Sequence, residues 1–216
     1  MMTNINANPL ETGSDELERY VLEECIKRQR LDHRVSTLVM PAARCDLASK
    51  LARLGAKVTV SGPAGQRQEA ENRILAAGFS DEIRFAAFNW PELPESLPGE
   101  PFDAIVVRRE LSTLPYLEAR QMVRQLLLKL RIGGKLYLSV LGLHSELAND
   151  YAASEAPLEG RFGPLAPKIA RTYDINGSVC LYTERELFLL LLEAGASVLR
   201  TLTATYGNVK AVAVRV

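Results

Sequence analysis

Three cysteines, two histidines, one tryptophan and a formal charge of zero in 216 residues leave little material for several common chemistries. Cys25, Cys45 and Cys180 are odd in number, far apart and without metal-ligand spacing, so they predict reduced thiols rather than a disulfide framework or a zinc site. Twenty-six basic residues against twenty-six acidic ones give no overall field to draw in nucleic acid or an anionic membrane, leaving room only for a local patch. No apolar run reaches the ~18 residues of a membrane span. Met1 to Thr12 are polar rather than signal-like, so a cytoplasmic protein is expected.

What is present is ordinary globular material, 47% hydrophobic and 24% charged, in a length that one α/β domain accommodates. Val35-Ser36-Thr37-Leu38-Val39-Met40 predicts a buried strand, Asp46 to Leu54 an amphipathic helix, and Lys57-Val58-Thr59-Val60 the next strand. That is the opening β-α-β of a dinucleotide- or nucleoside-binding domain, in which a glycine-rich turn lets the backbone approach its ligand. Here the turn is Pro41-Ala42-Ala43-Arg44-Cys45, with no glycine. The scaffold is kept and the loop is rewritten.

Residues 1 to 13 predict a disordered lead. Ser14 is the expected N-cap of a helix to about Arg30, in which Leu17, Tyr20, Val21, Leu22, Cys25 and Ile26 recur at helical spacing. Ser61 to Gly65 reads as a turn, Gln66 to Ala77 as a helix stopped by Gly78, and Ile83 to Phe88 as a third strand. A proline-rich loop, Pro91 to Pro101, leads into a fourth strand, Phe102 to Val107. A helix from Tyr116 to Leu130, a turn at Ile132-Gly133-Gly134 and a fifth strand from Lys135 to Val140 follow. Strands alternating with helices imply a parallel sheet covered on both faces. The stretch from His144 to Cys180 breaks that rhythm, being weakly periodic and rich in Pro, Gly, Ala and Ser. It lies beyond the carboxyl end of a strand, where ligand sites open, and predicts a lid or a mobile insertion. Thr183 then caps a helix with Glu186 at capping-box spacing, ending at Gly195. Ser197 to Thr203 and Val209 to Val216 predict a hairpin at the sheet's edge across Tyr206-Gly207-Asn208.

From about Ser14 to Val216 the order of elements and several local sequences resemble the class I S-adenosylmethionine-dependent methyltransferases. Phe102-Asp103-Ala104-Ile105-Val106-Val107 is similar to that family's fourth strand, and Leu111-Ser112-Thr113-Leu114-Pro115 to the segment after it. Leu130-Arg131-Ile132-Gly133-Gly134-Lys135-Leu136 is similar to its turn before the fifth strand. Tyr182 to Leu187, with Leu192-Glu193-Ala194-Gly195, is similar to its last helix. The resemblance implies an α/β fold with a doubly wound Rossmann-like sheet of about seven strands and helices on both faces. It implies a single domain over 14–216 with an insertion at about 144–180. S-adenosylmethionine is the implied cofactor and a small molecule the implied substrate.

Carried over one at a time, the family's cofactor positions fall on Val39, Pro41, Ala43, Cys45 and Gly62. An acid, three glycines and a second acid would be usual there. Gly62 offers no carboxylate to ribose hydroxyls, a loss of ~1.5–3 kcal/mol, or one to two powers of ten in affinity. Asn89 and Trp90 fall where adenine is contacted. The amide can donate and accept and the indole can stack, although a turn-forming Asn and a Trp covering the sheet's end describe them equally well. Arg108, just past the fourth strand, is a candidate for binding an anionic group, whereas Arg109 and Glu110 read as a solvated loop pair. His144 is the candidate general base. Cys45, at a helix N-terminus, is a candidate for a lowered pKa. Tyr151, Tyr173 and Tyr182 either line a pocket or pack the insertion down. Two functions follow, a methyltransferase acting on a small molecule and a pseudo-methyltransferase that has lost its cofactor and binds a protein partner. Self-association is left open. A dehydrogenase needs the same absent glycines.

Overall fold

The computed structural model describes residues 15–31, 33–42 and 45–216. The expected lead over residues 1 to 13, and Ser14, Ala43 and Arg44, lie outside the described residues. The chain opens with α1 (Glu16–Gln29), β1 (Ser36–Met40), α2 (Asp46–Arg53), β2 (Lys57–Gly62), α3 (Arg67–Ala76) and β3 (Ile83–Ala87). It continues through β4 (Phe102–Arg108), α4 (Tyr116–Lys129) and β5 (Leu130–Val140). After β5 come two short strands, β6 (Gly163–Pro164) and β7 (Ser178–Val179), with α5 (Pro167–Tyr173) between them. It closes with α6 (Glu184–Glu193), β8 (Ser197–Thr203) and β9 (Val209–Val214).

Seven strands form one sheet in the order β3-β2-β1-β4-β5-β9-β8. The first five run parallel and β9 pairs antiparallel with both β5 and β8. β1 and β4 are buried on both faces and are accordingly almost continuous apolar runs. The exception is Asp103, fully buried in β4. It accepts hydrogen bonds from the Ser36 N–H at 2.8 Å and from an Arg28 guanidinium N–H at 3.3 Å, and pairs with the His33 ring at 2.8 Å. Those partners satisfy the charge at the amino end of the sheet.

α1, α2 and α3 cover one face, burying Leu17, Val21, Leu47, Leu51 and Ile74 against Val58, Val60 and Val106. α4 and α6 cover the other with Met122, Leu126, Leu187 and Leu190 against Leu38, Ile105 and Leu138. Because β1 has β2 on one side and β4 on the other, successive connections leave it in opposite directions. The carboxyl ends of these strands therefore part to form a crevice.

The N-cap of α1 is Asp15 rather than the expected Ser14. Its carboxylate accepts from the Glu18 N–H at 2.9 Å, and two cations from the sheet, Arg108 and Lys210, hold it in place. β5 begins earlier than expected. Leu130 already pairs with Phe102, and the turn at Ile132-Gly133-Gly134 survives as an irregularity within the strand, with Gly133 at φ 75°. Thr183 and Glu186 form the capping box that their spacing predicts.

The stretch after β5 that looked aperiodic folds on a small core of its own, Leu141, Leu147, Tyr151, Leu165, Val179 and Leu181. The Tyr151 hydroxyl donates to the carbonyls of Arg161 and Val179. The buried Arg161 donates to the Leu181 carbonyl at 3.1 Å and to Glu186 at 2.7 Å, fastening the insertion to α6. At the insertion's base the Leu143 N–H donates to the Tyr182 carbonyl at 2.8 Å and the Tyr182 N–H to the Leu141 carbonyl at 2.9 Å. Tyr151 thus packs the segment down, whereas the Tyr182 side chain is buried in the main core. Tyr173 bonds Glu146 at the insertion's surface.

Candidate functional site

A cavity of about 330 Å³ opens at the carboxyl ends of β1, β2 and β4. Met40 and Pro41 leave β1 into it, and Ser61, Gly62 and Pro63 leave β2. Phe88, Asn89 and Trp90 follow β3, and Glu110 and Thr113 follow β4. Its volume is at the lower end of the range for small-ligand sites.

Local hydrogen bonds fix these walls. The Phe88 N–H donates to the Gly62 carbonyl at 3.1 Å, so the chain beyond β3 continues beside the end of β2. The Trp90 indole N–H donates to the Thr113 hydroxyl at 3.2 Å, and that hydroxyl donates to the Glu110 carbonyl at 2.7 Å. The rewritten loop is tied inward. Ala42 is buried, with its N–H donating to the Ser61 carbonyl at 2.6 Å, and the Cys45 N–H donates to the Ala42 carbonyl at 2.9 Å. Both donors are therefore spent within the protein. A Cβ on Gly62 would meet the Gln66 side-chain oxygen at 2.8 Å, which places the Gln66 amide beside the bare glycine.

No family model matches the chain, and no curated protein does. Solved structures do. An O-methyltransferase family protein from Burkholderia thailandensis superposes with a TM-score of 0.62 at 12% identity, over 92% of this chain and 56% of that one. An S-adenosylmethionine-dependent methyltransferase from Methanosarcina mazei gives a TM-score of 0.65 at 20% identity, over 88% of this chain and 97% of that one. The fold is that of the class I methyltransferases. This chain spans just over half the length of the Burkholderia protein. The cyclase SpnF has the same architecture, with a TM-score of 0.58 at 19% identity over 86% of this chain and 58% of its own. A methyltransferase fold therefore leaves the reaction to be decided by the site.

Within this methyltransferase fold, four of the residues expected from the sequence meet at the cavity: Pro41, Gly62, Asn89 and Trp90. Ala43 lies outside the described residues. Arg108 does not reach the cavity. Alternation along β4 sends its side chain to the α1 face, where the guanidinium grips the Asp15 carboxylate at 2.8 and 3.1 Å. Lys210 reaches the same carboxylate at 2.7 Å. Burial raises the Asp15 pKa, but the Arg108 and Lys210 contacts outweigh it and hold the group well below the usual carboxylate range.

Two further expectations are corrected. Cys45 occupies the N-cap position of α2 at φ 61°, but it is buried and does not line the cavity. Burial pushes its thiol pKa up, against the lowering expected of a helix N-terminus. His144 is exposed in the turn after β5, apart from the cavity wall. The residue that sequence reasoning passed over is Glu110, expected to be solvated and found half-buried in the wall. Strand alternation gave no signal for it, because β4 ends at Arg108 and the left-handed Arg109, at φ 64°, redirects the chain before Glu110.

Proposed function

We propose that the cavity binds S-adenosylmethionine and that the chain serves methyl transfer to a small molecule. The carrying observation is the convergence of Asn89 and Trp90 with Gly62 and Pro41 at the switch point of a methyltransferase fold. The wall suits an adenosine. Phe88 and Trp90 supply aromatic surface, Asn89 is exposed with an amide that can donate and accept, and Gln66 stands where a ribose-binding carboxylate would be usual. A neutral amide replaces a charge-assisted contact there, so affinity is lower by roughly one to two powers of ten.

Bound in this cavity, the cofactor supplies an electrophilic methyl group. The chain's own residues orient and enclose. Trp90 is tied through Thr113 to the turn that carries Glu110, which joins the aromatic wall to the segment after β4. Alignment of donor and acceptor in such an enclosure supplies most of the acceleration, which is why few reactive side chains are needed. The partner-binding alternative gains no observation of its own from the cavity.

Thermal-shift titration with S-adenosylmethionine and S-adenosylhomocysteine, followed by calorimetry, tests this. Ligand at a hundredfold over Kd stabilises by ~2.7 kcal/mol, a Tm rise of roughly 5–10 °C for a domain of this size. Asn89→Ala is expected to weaken the effect. No shift at millimolar ligand would sink the cofactor reading.

A further inference from the structure

Among the described residues, one side chain on the cavity wall is ionisable. Glu110 stands among aromatic, aliphatic and neutral polar groups. Its place is set by the backbone on both sides. Arg109 sits at φ 64° with its N–H donating to the Ser139 carbonyl at 2.7 Å, and Thr113 closes the turn that follows. The same Thr113 hydroxyl accepts the Trp90 indole N–H. The Glu110 main chain and the indole are thereby held on either side of one small residue, and both side chains line the same cavity.

Among the described residues nothing donates a hydrogen bond to the Glu110 carboxylate. Burial raises its pKa and the Arg109 charge offsets only part of that. A carboxylate withdrawn from water without a hydrogen-bonded partner is unfavourable until a cation reaches it, and an indole face favours the same kind of ligand.

We propose that this cavity selects an organic onium group, a sulfonium or an ammonium, with Glu110 as its counter-ion and Trp90 as the ring beside it. The inference rests on the cavity assigned above to methyl transfer and specifies the charge of its ligand. The onium group has two sources, the sulfonium of the methyl donor or the ammonium of an amine acceptor.

Trp90 is the chain's single tryptophan, so its fluorescence reports the cavity directly. The full chain would be titrated with two matched pairs: S-adenosylmethionine against S-adenosylhomocysteine, and phenethylamine against 2-phenylethanol. In at least one pair the cation is expected to bind about 10–100-fold more tightly than its neutral counterpart, the range of a charge-assisted contact. Glu110→Gln should bring that ratio close to one, with circular dichroism and thermal melting showing the fold retained, and Glu110→Asp should keep part of it. Discrimination in the sulfonium pair alone assigns the site to the donor. Discrimination in the amine pair with no binding of either adenosyl compound upholds the onium site and sinks the cofactor reading. Equal binding within both pairs, a ratio that survives Glu110→Gln, or no binding of any of the four would overturn the proposal.

Discussion

Removing the Asp15 carboxylate should destabilise this protein far more than the loss of a helix cap. The group accepts one bond from the Glu18 N–H, two from Arg108 and one from Lys210, and both it and Lys210 are almost fully buried. The cap alone is worth about 1 kcal/mol. Stranding a buried cation costs several kcal/mol more, moderated here because Glu16 remains 3.1 Å from Lys210. Asp15→Ala is therefore expected to cost about 3 kcal/mol, a Tm fall of roughly 6–12 °C at this chain length. Asp15→Asn keeps an oxygen for the cap but loses the charge, so it should recover only about 1 kcal/mol of that. Urea denaturation monitored by circular dichroism gives both values. The folded carboxyl titrates below its unfolded value of 3.8, so its contribution is complete above that pH and is lost as pH falls through the folded pKa. The gap between wild type and Asp15→Asn should accordingly narrow below about pH 4. A loss under about 1 kcal/mol for Asp15→Ala would refute the reasoning and leave Arg108 and Lys210 as solvated bystanders.

Gly62→Asp should restore an acid at the end of β2. The new side chain meets the movable end of Gln66 rather than backbone, so folding should survive and calorimetry should show about 10–100-fold tighter S-adenosylmethionine binding. Unchanged affinity in the Gly62→Asp variant would place the ribose elsewhere. Gly142→Ala puts a Cβ 1.6 Å from the Gly207 carbonyl oxygen. It should cost about 3 kcal/mol or more or prevent folding, whereas Gly65→Ala, in open space, should leave the urea midpoint nearly unchanged. Burial lifts the Cys25 and Cys180 thiols to about 11 and raises Cys45. Native protein at pH 8 should resist a thiol-exchange reagent, and all three cysteines should react on unfolding. Rapid native reaction of even one would contradict its burial.

Much of the sheet was legible because parallel strands buried on both faces leave uninterrupted apolar runs. Ser36–Met40 and Phe102–Arg108 stood out for that reason, and the capping box at Thr183 and Glu186 marked α6 within a residue. Local chemistry did not reveal what depends on distant partners. Ser14 and Asp15 are equally plausible caps by residue type, and the choice falls to Asp15 because Arg108 and Lys210, far away in sequence, converge on it. The insertion looked aperiodic because its core is assembled from scattered single residues such as Leu147, Tyr151, Leu165 and Val179, with only α5 long enough to show a helical repeat. Charge type alone favoured Arg108 over Glu110 at the crevice. The Arg108 side chain turns to Asp15, and the turn after β4 puts Glu110 on the cavity wall, which reverses that order. Cys45 misled in a similar way, since a helix N-terminus lowers a thiol pKa only where desolvation does not exceed it.

The two hydrogen bonds between Leu141, Leu143 and Tyr182 bring the ends of a segment of almost forty residues to adjacent points on the scaffold. A stretch that leaves and returns at one place behaves as a cassette. Its length can change with little change in the entropy of closing the loop, provided that Arg161 keeps Glu186 and Cys180 keeps its place in the main core. The roof of the molecule can thus diversify while the sheet and its crevice stay fixed, and grafting between Leu141 and Tyr182, with Arg161 and Cys180 kept, is the natural route to building new variants on this scaffold.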